Sequence, residues 1–399
     1  MKHIMMMRAG AVAALLLFPM AAEAEILAFV SYETKSEESI RALRVEEALR
    51  NRRSGIAIID VDPDSENFGK LHAQFPISPG SSPHHMYYHP SLTKVYVTDT
   101  SKGQLHVLDL TRAPYRFKQI DIPECFRLDS VVFSESGDRW YVGCQQPGNI
   151  IIGESTTDQV TQIIQKSGEY VHGIAIHHGI NRLLVTDSFG REARSEFGES
   201  ITVFDPETMT ELSRHKVSLR PSPARALPMF VEFVPGTDPP VAYVTTLAGG
   251  TKSHGTLWAA SWKPAEETFE VQELFDFSTI DAKLPIAMAF DSASERAFVT
   301  TAHPGAFHIF DISAGPLEPK LVRSLPCAQG AHHMAFSPDG RYVFVENGIT
   351  GTPGMMDGSI TVIDLENESV VGEINTLKDM GLTVNFILLL PEWHRPHND

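Results

Sequence analysis

Short apolar runs rich in Val, Ile, Tyr and Phe, separated by Gly, Pro, Asp and Ser, recur along nearly the whole chain. The clearest unit begins at Ala331: AHHMAFSPDGRYVFVENG, a loop, then GSITVIDLENESVVGEI. It predicts four strands, MAFS, RYVFVE, SITVIDL and VVGEIN, with Asp339-Gly340 and Glu366-Asn367 at turns. The same order returns in HHMYYHP, KVYVTDT, QLHVLDL, RFKQIDI and again in DSVVFSE, RWYVGCQ, NIIIGES, QVTQIIQ. Three further units start at HGIAIHH, MFVEFVP and IAMAFDS, giving six complete units. The chain's start adds EILAFVSYE, SGIAIIDVD and KLHAQFPI, and the C-terminal LTVNFILLLP supplies the strand they lack. The expected fold is all-β: a seven-bladed β-propeller over residues 25–399, forming a single domain, with N- and C-terminal strands sharing one blade. Such closure leaves no open sheet edge.

Three stretches break the period. Residues 35–53 carry Ile40, Leu43, Val45, Ala48 and Leu49 at spacings that predict a short amphipathic helix over one propeller face. Residues 189–198 form a polar loop, and residues 348–358 hold four glycines, a proline and Met355-Met356. Long connections on one face are placed to roof a central pocket. Residues 1–24 read as a secretory signal peptide: Lys2, His3 and Arg8, then an apolar run from Ala11 to Phe18, then Ala22-Glu23-Ala24 for cleavage. The expected location is therefore periplasmic or secreted. No later run of eighteen residues is apolar, so no membrane span is expected. The formal charge of −17 becomes −18 when Lys2, Arg8 and Glu23 are removed (−17 − 2 + 1). That acidity argues against nucleic acid and anionic lipid as partners. Cys125 starts one strand and Cys144 ends the next, positions that face each other in an antiparallel pair; a disulfide and two buried thiols both fit.

In a propeller the first strand of each blade lies nearest the axis, and histidine pairs open two of them: Pro83-His84-His85-Met86 and Ala331-His332-His333-Met334. Aligning first strands puts His84, Asp129, His172, Met229, Ile286 and His332 at one level. His85, Ser130, Gly173, Phe230, Ala287 and His333 come next. Side chains alternate along a strand, but a turn of the backbone at its start lets both members of a pair approach the axis. His303, at the end of a second strand, is aligned with Asp99, Cys144, Asp187 and Glu346 and is expected around the same entrance. The candidate metal ligands are therefore His84, His85, His172, His303, His332 and His333. Asp129 is a further ligand or an acceptor for an imidazole N–H, and Met229 is an axial sulfur or a core filler. Asp129 and Asp187 are the candidate catalytic proton carriers. The plainer reading of each histidine is a strand-start side chain bonded to a backbone carbonyl.

Imidazoles, a nearby thioether and an oxidising compartment favour copper, with iron and zinc as alternatives; calcium would follow if carboxylates and backbone lined the channel instead. Tyr96-Val97-Thr98-Asp99 and Val362-Ile363-Asp364 resemble the YVTN-type β-propeller repeat, and the resemblance covers the whole mature chain. Propellers of this look include lactonases, haem d1 domains and the N-terminal domain of nitrous oxide reductase. The axial histidines also resemble copper propellers such as the methanethiol oxidase/selenium-binding family, without that family's cysteine-rich opening. No Cys-x-x-Cys-His and no cupredoxin domain is legible, so neither c-type haem nor nitrous oxide reduction is expected. The resemblance implies a copper-dependent oxidoreductase acting on a small molecule, served by a periplasmic redox or metal-delivery partner. Whether the chain is an enzyme stays open: a non-catalytic copper-binding or assembly protein and a lactonase-like metallohydrolase are the alternatives.

Overall fold

The computed structural model describes residues 25–35, 53–78, 80–165, 169–190, 197–248, 254–349 and 351–391. Seven four-stranded antiparallel sheets make up nearly all of it. Blades I to VI are consecutive in the chain, with first strands Pro83–Tyr88, Arg127–Phe133, Glu169–His177, Pro228–Phe233, Lys283–Phe290 and Ala331–Phe336. In blade VII the C-terminal strand Leu382–Leu389 pairs with Leu27–Thr34, which leads outward to Ser54–Asp60 and Leu71–Pro76. The ring is closed by both chain ends, as the sequence pattern predicts. The seven first strands contact one another in succession and so surround the axis.

Why these segments stack radially follows from their burial. Second strands are covered on both faces, as in Lys94–Asp99, where all but Lys94 are buried. Outer strands are half polar, as in Arg116–Asp121, where only Ile120 is buried. No blade has a core of its own. Each of the seven apolar clusters joins two neighbours, for instance Tyr96 and Leu105 of blade I with Trp140 and Val142 of blade II. The closing seam is built in the same way, from Val30 and Val384 of blade VII with Phe344 and Val362 of blade VI. A repeat that cannot bury its faces alone is stable only in the ring.

The predicted helix at 35–53 falls largely outside the described residues, as do the signal segment and the centre of the 189–198 loop. The 348–358 stretch folds back on itself, with Ile349 N–H donating to Met355 O at 2.7 Å. Lys35 Nζ donates to Asp357 O at 2.6 Å, and Lys378 Nζ lies 2.8 Å from the Asp357 carboxylate, so this loop is tied across the seam between blades VI and VII. Among the described residues no helix is long and apolar enough to cross a membrane.

Cys125 and Cys144 form a disulfide, with Cα atoms 5.8 Å apart and a sequence separation of 19. Gly153, paired across the sheet with Trp140, is a close-approach position: an added Cβ would lie 1.9 Å from the Trp140 ring, which is fully buried. Gly153→Ala is therefore expected to destabilise the protein by about 1–3 kcal/mol through overpacking, read from the midpoint of chemical denaturation. Replacing both Cys125 and Cys144 by Ala is expected to cost about 3 kcal/mol, the loop-closure entropy of a bridge of this span, and reductant should lower the wild-type midpoint to that of the variant.

Candidate metal centre

In blades I to VI the first strand breaks its pairing with the second at one equivalent place. The register skips between Pro83 and Met86, Leu128 and Val131, Val171 and Ile174, Pro228 and Val231, Pro285 and Met288, and Ala331 and Met334. The two residues inside each skip are the two aligned levels read from the sequence, including Met229-Phe230 and Ile286-Ala287. A bulge leaves residues unpaired and re-aims their side chains, which is how consecutive histidines both reach the axis. In blade VII the skip in the C-terminal strand falls at Asn385, beside Phe386.

The bulge exposes backbone groups that need partners, and a second-strand hydroxyl supplies them. Thr186 Oγ1 accepts from Gly173 N–H (2.7 Å) and donates to Met229 O of the next blade (3.0 Å). Thr245 accepts from Phe230 N–H (3.3 Å) and donates to Ile286 O (2.8 Å). Thr98 accepts from His85 N–H (3.1 Å), and Ser31 donates to His84 O (3.0 Å). Blade VI departs from this rule. The equivalent residue is Glu346, whose Oε1 accepts from His333 N–H at 3.0 Å and lies 3.2 Å from His332 Nδ1.

Five imidazoles meet at this level. Ring centroids are 4.1 Å apart in His84–His85, 3.9 Å in His332–His333 and 4.5 Å in His85–His333. His172 joins at 6.2 Å from His85. Asp129 spans two of them, with Oδ1 3.0 Å from His85 Nδ1 and Oδ2 3.3 Å from His172 Nε2, and it accepts from Gln145 Nε2. Phe386 packs 4.2 Å from His333, and Phe230 touches His85 and His172 at 5.7 Å each. His84 is partly exposed; the other four histidines, Asp129 and Glu346 are buried.

Several buried ring nitrogens have no hydrogen-bond partner: His84 Nδ1, His85 Nε2, His172 Nδ1 and His333 Nε2, together with Glu346 Oε2 and Asp129 Oδ1, which lies 3.0 Å from His85 Nδ1 without a hydrogen bond. His332 Nδ1 is near Glu346 Oε1 but off the line a hydrogen bond requires. Each orphaned polar atom costs about 1–3 kcal/mol. One donor atom each from His84, His85 and His333 lie within 4.8 Å of one another, and so do donors from His332, His333 and Glu346. The chemistry and spacing of this set fit a metal ion held by imidazoles with a carboxylate at its edge.

Burial sets the protonation states. It lowers His84 and His333 well below the usual imidazole range, reinforced by neighbouring histidines. It lowers His172 to about 4 and also lowers His85, with Asp129 opposing the effect in both. These rings are neutral at pH 7, the form that ligates metal. Burial alone would raise Asp129, but His172 and His85 outweigh it and hold the carboxyl well below its ordinary value. The ionised Asp129 lies between the His85 and His172 rings, placed to orient both. Glu346 is raised by burial, with His332 opposing.

The structure thus brings together His84, His85, His172, His332 and His333 with Asp129. It does not bring in His303, which is exposed and has Nδ1 2.9 Å from Gln329 Oε1. The alignment that placed it at the entrance slips there. Asp99 pairs with Pro83, and the equivalents are Asp187, Cys144, Thr301 and Asn347; His303 lies two residues beyond Thr301, and Glu346 one before Asn347. Asp187 is buried within blade III, accepting from Thr202 Oγ1 at 2.9 Å with Arg214 Nε 4.0 Å away. Met229 is buried at the bulge of blade IV, where its backbone oxygen accepts from Thr186 Oγ1. Sequence reasoning passed over Gln145, Phe386 and the direct role of Glu346. The last carried a signal: VFVEN has Glu where YVTD has Thr.

No protein-family model matches this sequence, and no curated protein matches it either. Among solved structures it is similar to a hypothetical selenium-binding protein from Sulfolobus tokodaii (13% identity, 94% of this chain and 93% of that one, TM-score 0.69). It is also similar to the periplasmic gluconolactonase PpgL of Pseudomonas aeruginosa (13%, 92% and 100%, TM-score 0.65) and to hydrazine synthase of Kuenenia stuttgartiensis (14%, 78% and 92%, TM-score 0.60). At such identities the likeness is one of fold.

The depressed imidazoles set a pH dependence for the metal-free protein. The unfolded chain takes up these protons near pH 6.5, whereas folded His172 does not until about pH 4. Below pH 6.5 the unfolded state binds more protons, so stability is full above that value and falls as pH drops toward 4. The raised Glu346 and Glu232 act in the opposite sense, while the lowered His308 and Asp129 add to the four imidazoles. Thermal melts of metal-free protein across that window should show the midpoint falling with acidity, and the His85→Ala/His333→Ala variant should show a shallower fall.

Proposed function

We propose that this chain is an exported copper-dependent oxidoreductase that acts on a small molecule at the axial histidine centre. The observation that carries the reading is the group of buried imidazole nitrogens without partners, gathered by the bulges of blades I, III and VI. Export is supported by the signal-like residues 1–24 and by the Cys125–Cys144 disulfide, which belongs to an oxidising compartment. Copper is favoured over calcium or magnesium because imidazoles outnumber carboxylates, and over zinc because nitrogen-rich sites bind copper more tightly.

His84, His85, His332 and His333 would hold the ion, with His172 and Glu346 at the edge of the group. Bound copper supplies one-electron chemistry and a Lewis-acidic position. The protein's own residues prepare that position. The Asp129 carboxylate lies against His85 Nδ1 and His172 Nε2, and Tyr87 Oη is 3.2 Å from His85 Nδ1, so His85 Nε2 and His172 Nδ1 are the nitrogens left as donors. Gln145 anchors Asp129, and Phe230 and Phe386 keep water from the far side of the rings. A soluble redox or metal-delivery partner fits such a centre. The gluconolactonase neighbour invites a hydrolase reading, but carboxylates would then be expected to dominate the axis, and here they are two against five imidazoles.

Elemental mass spectrometry of protein exported to a periplasm and purified without tag or chelator is the test. About one copper per chain is expected, with at least ~10-fold less in His85→Ala/His333→Ala. Zinc or calcium in its place would turn the reading to a hydrolase. No metal, or metal unaffected by the double variant, would remove the centre altogether.

A further inference from the structure

Next to the histidine level the axis opens into a cavity of about 340 Å³, walled by the first strands of blades II, III and IV and by Tyr87 of blade I. That is the lower end of the roughly 300–1,000 Å³ of small-molecule pockets. Its wall is largely apolar and aromatic, with Val131, Ile174, Tyr87, Phe230 and Phe233. Glu232 is the one charged residue among the described residues that line it. Glu232 is exposed to the channel space, with the first strands of neighbouring blades around it. Partial loss of water there raises its carboxyl to about 7. The cavity adjoins the candidate metal centre: Phe230 packs on His85 and His172, and Tyr87 Oη is 3.2 Å from His85 Nδ1.

A lone carboxylate among the otherwise uncharged lining of this cavity marks the one place in it where a positive charge is favoured. A bare metal ion would want several oxygen ligands, and one carboxylate does not supply them. The aromatic residues that line the same cavity suit an organic cation, whose charge their rings attract and whose carbon they cover. The protein's formal charge of −17 draws cations and repels anions. We propose that this cavity binds a small organic ammonium ion, with Glu232 as its counter-charge and Tyr87, Phe230 and Phe233 as its aromatic walls. The proposal adds a second ligand beside the histidine centre and holds whichever metal, if any, occupies that centre, so the two readings fail separately.

The probe is n-propylammonium, compared with 1-propanol as a neutral molecule of similar size, titrated by calorimetry or NMR into metal-free protein at a pH where Glu232 is ionised. Propylammonium should bind saturably and about 10-fold more tightly than propanol. Glu232→Gln, which keeps the side chain's shape, should abolish that preference while leaving the circular dichroism and the propanol response unchanged. Equal binding of the two probes, no binding of either, or an ammonium preference that survives Glu232→Gln would overturn the proposal.

Discussion

A buried hydroxyl that serves two blades at once is the constraint on which the axis depends. Each bulge frees an N–H and a carbonyl in a place water does not reach, and buried backbone groups are almost always paired. Thr186 and Thr245 meet both needs, taking the N–H of their own bulge and giving a proton to the carbonyl of the next. Thr300 donates to His332 O in the same way. Blade II carries Gly143 at this position, where a Cβ would crowd Val171 and His172 O. The ring is thus stitched at its narrowest circle by polar contacts and filled outside it by apolar seams.

The same circle explains why the candidate metal centre lies where it does. A bulge permits two consecutive side chains to face inward, and only blades I and VI spend both positions on histidine. Blade III contributes a single imidazole, blade II a carboxylate, and blades IV and VII aromatic rings that close the group. Replacing threonine with Glu346 in blade VI keeps the backbone bond to His333 and delivers a charge to His332. One substitution in a structural repeat position has become part of a site. The imidazoles stay neutral because burial outweighs the two carboxylates, which is the condition for ligation rather than for ion pairing.

Much of this was legible in the chain. Strand order, blade number and the closing strand follow from period and turn residues, since propeller blades repeat with little variation. The two aligned levels, including Met229-Phe230 and Ile286-Ala287, follow from the same repetition. Second-strand ends were harder, because the loops after them differ in length and blur the alignment; that is why His303 appeared to join a group from which two residues separate it. Gln145 and Phe386 carry no motif. Their roles depend on neighbouring blades, a distance in space that no local pattern encodes. The cavity beside Glu232 likewise arises from four blades at once.

Closure by the last strand has a bearing on when the centre can exist. Phe386 stacks on His85 and His333, and Asn385 Nδ2 donates to Pro83 O at 3.0 Å, next to the first histidine pair. Both belong to a strand that ends at Leu389, so the pocket is not complete until the chain has been made through that strand and the ring has shut. A chain threaded unfolded across a membrane would assemble its ligands only on the far side. For such a chain, the metal available to the centre would be set by the supply where folding finishes, not by the supply where synthesis began.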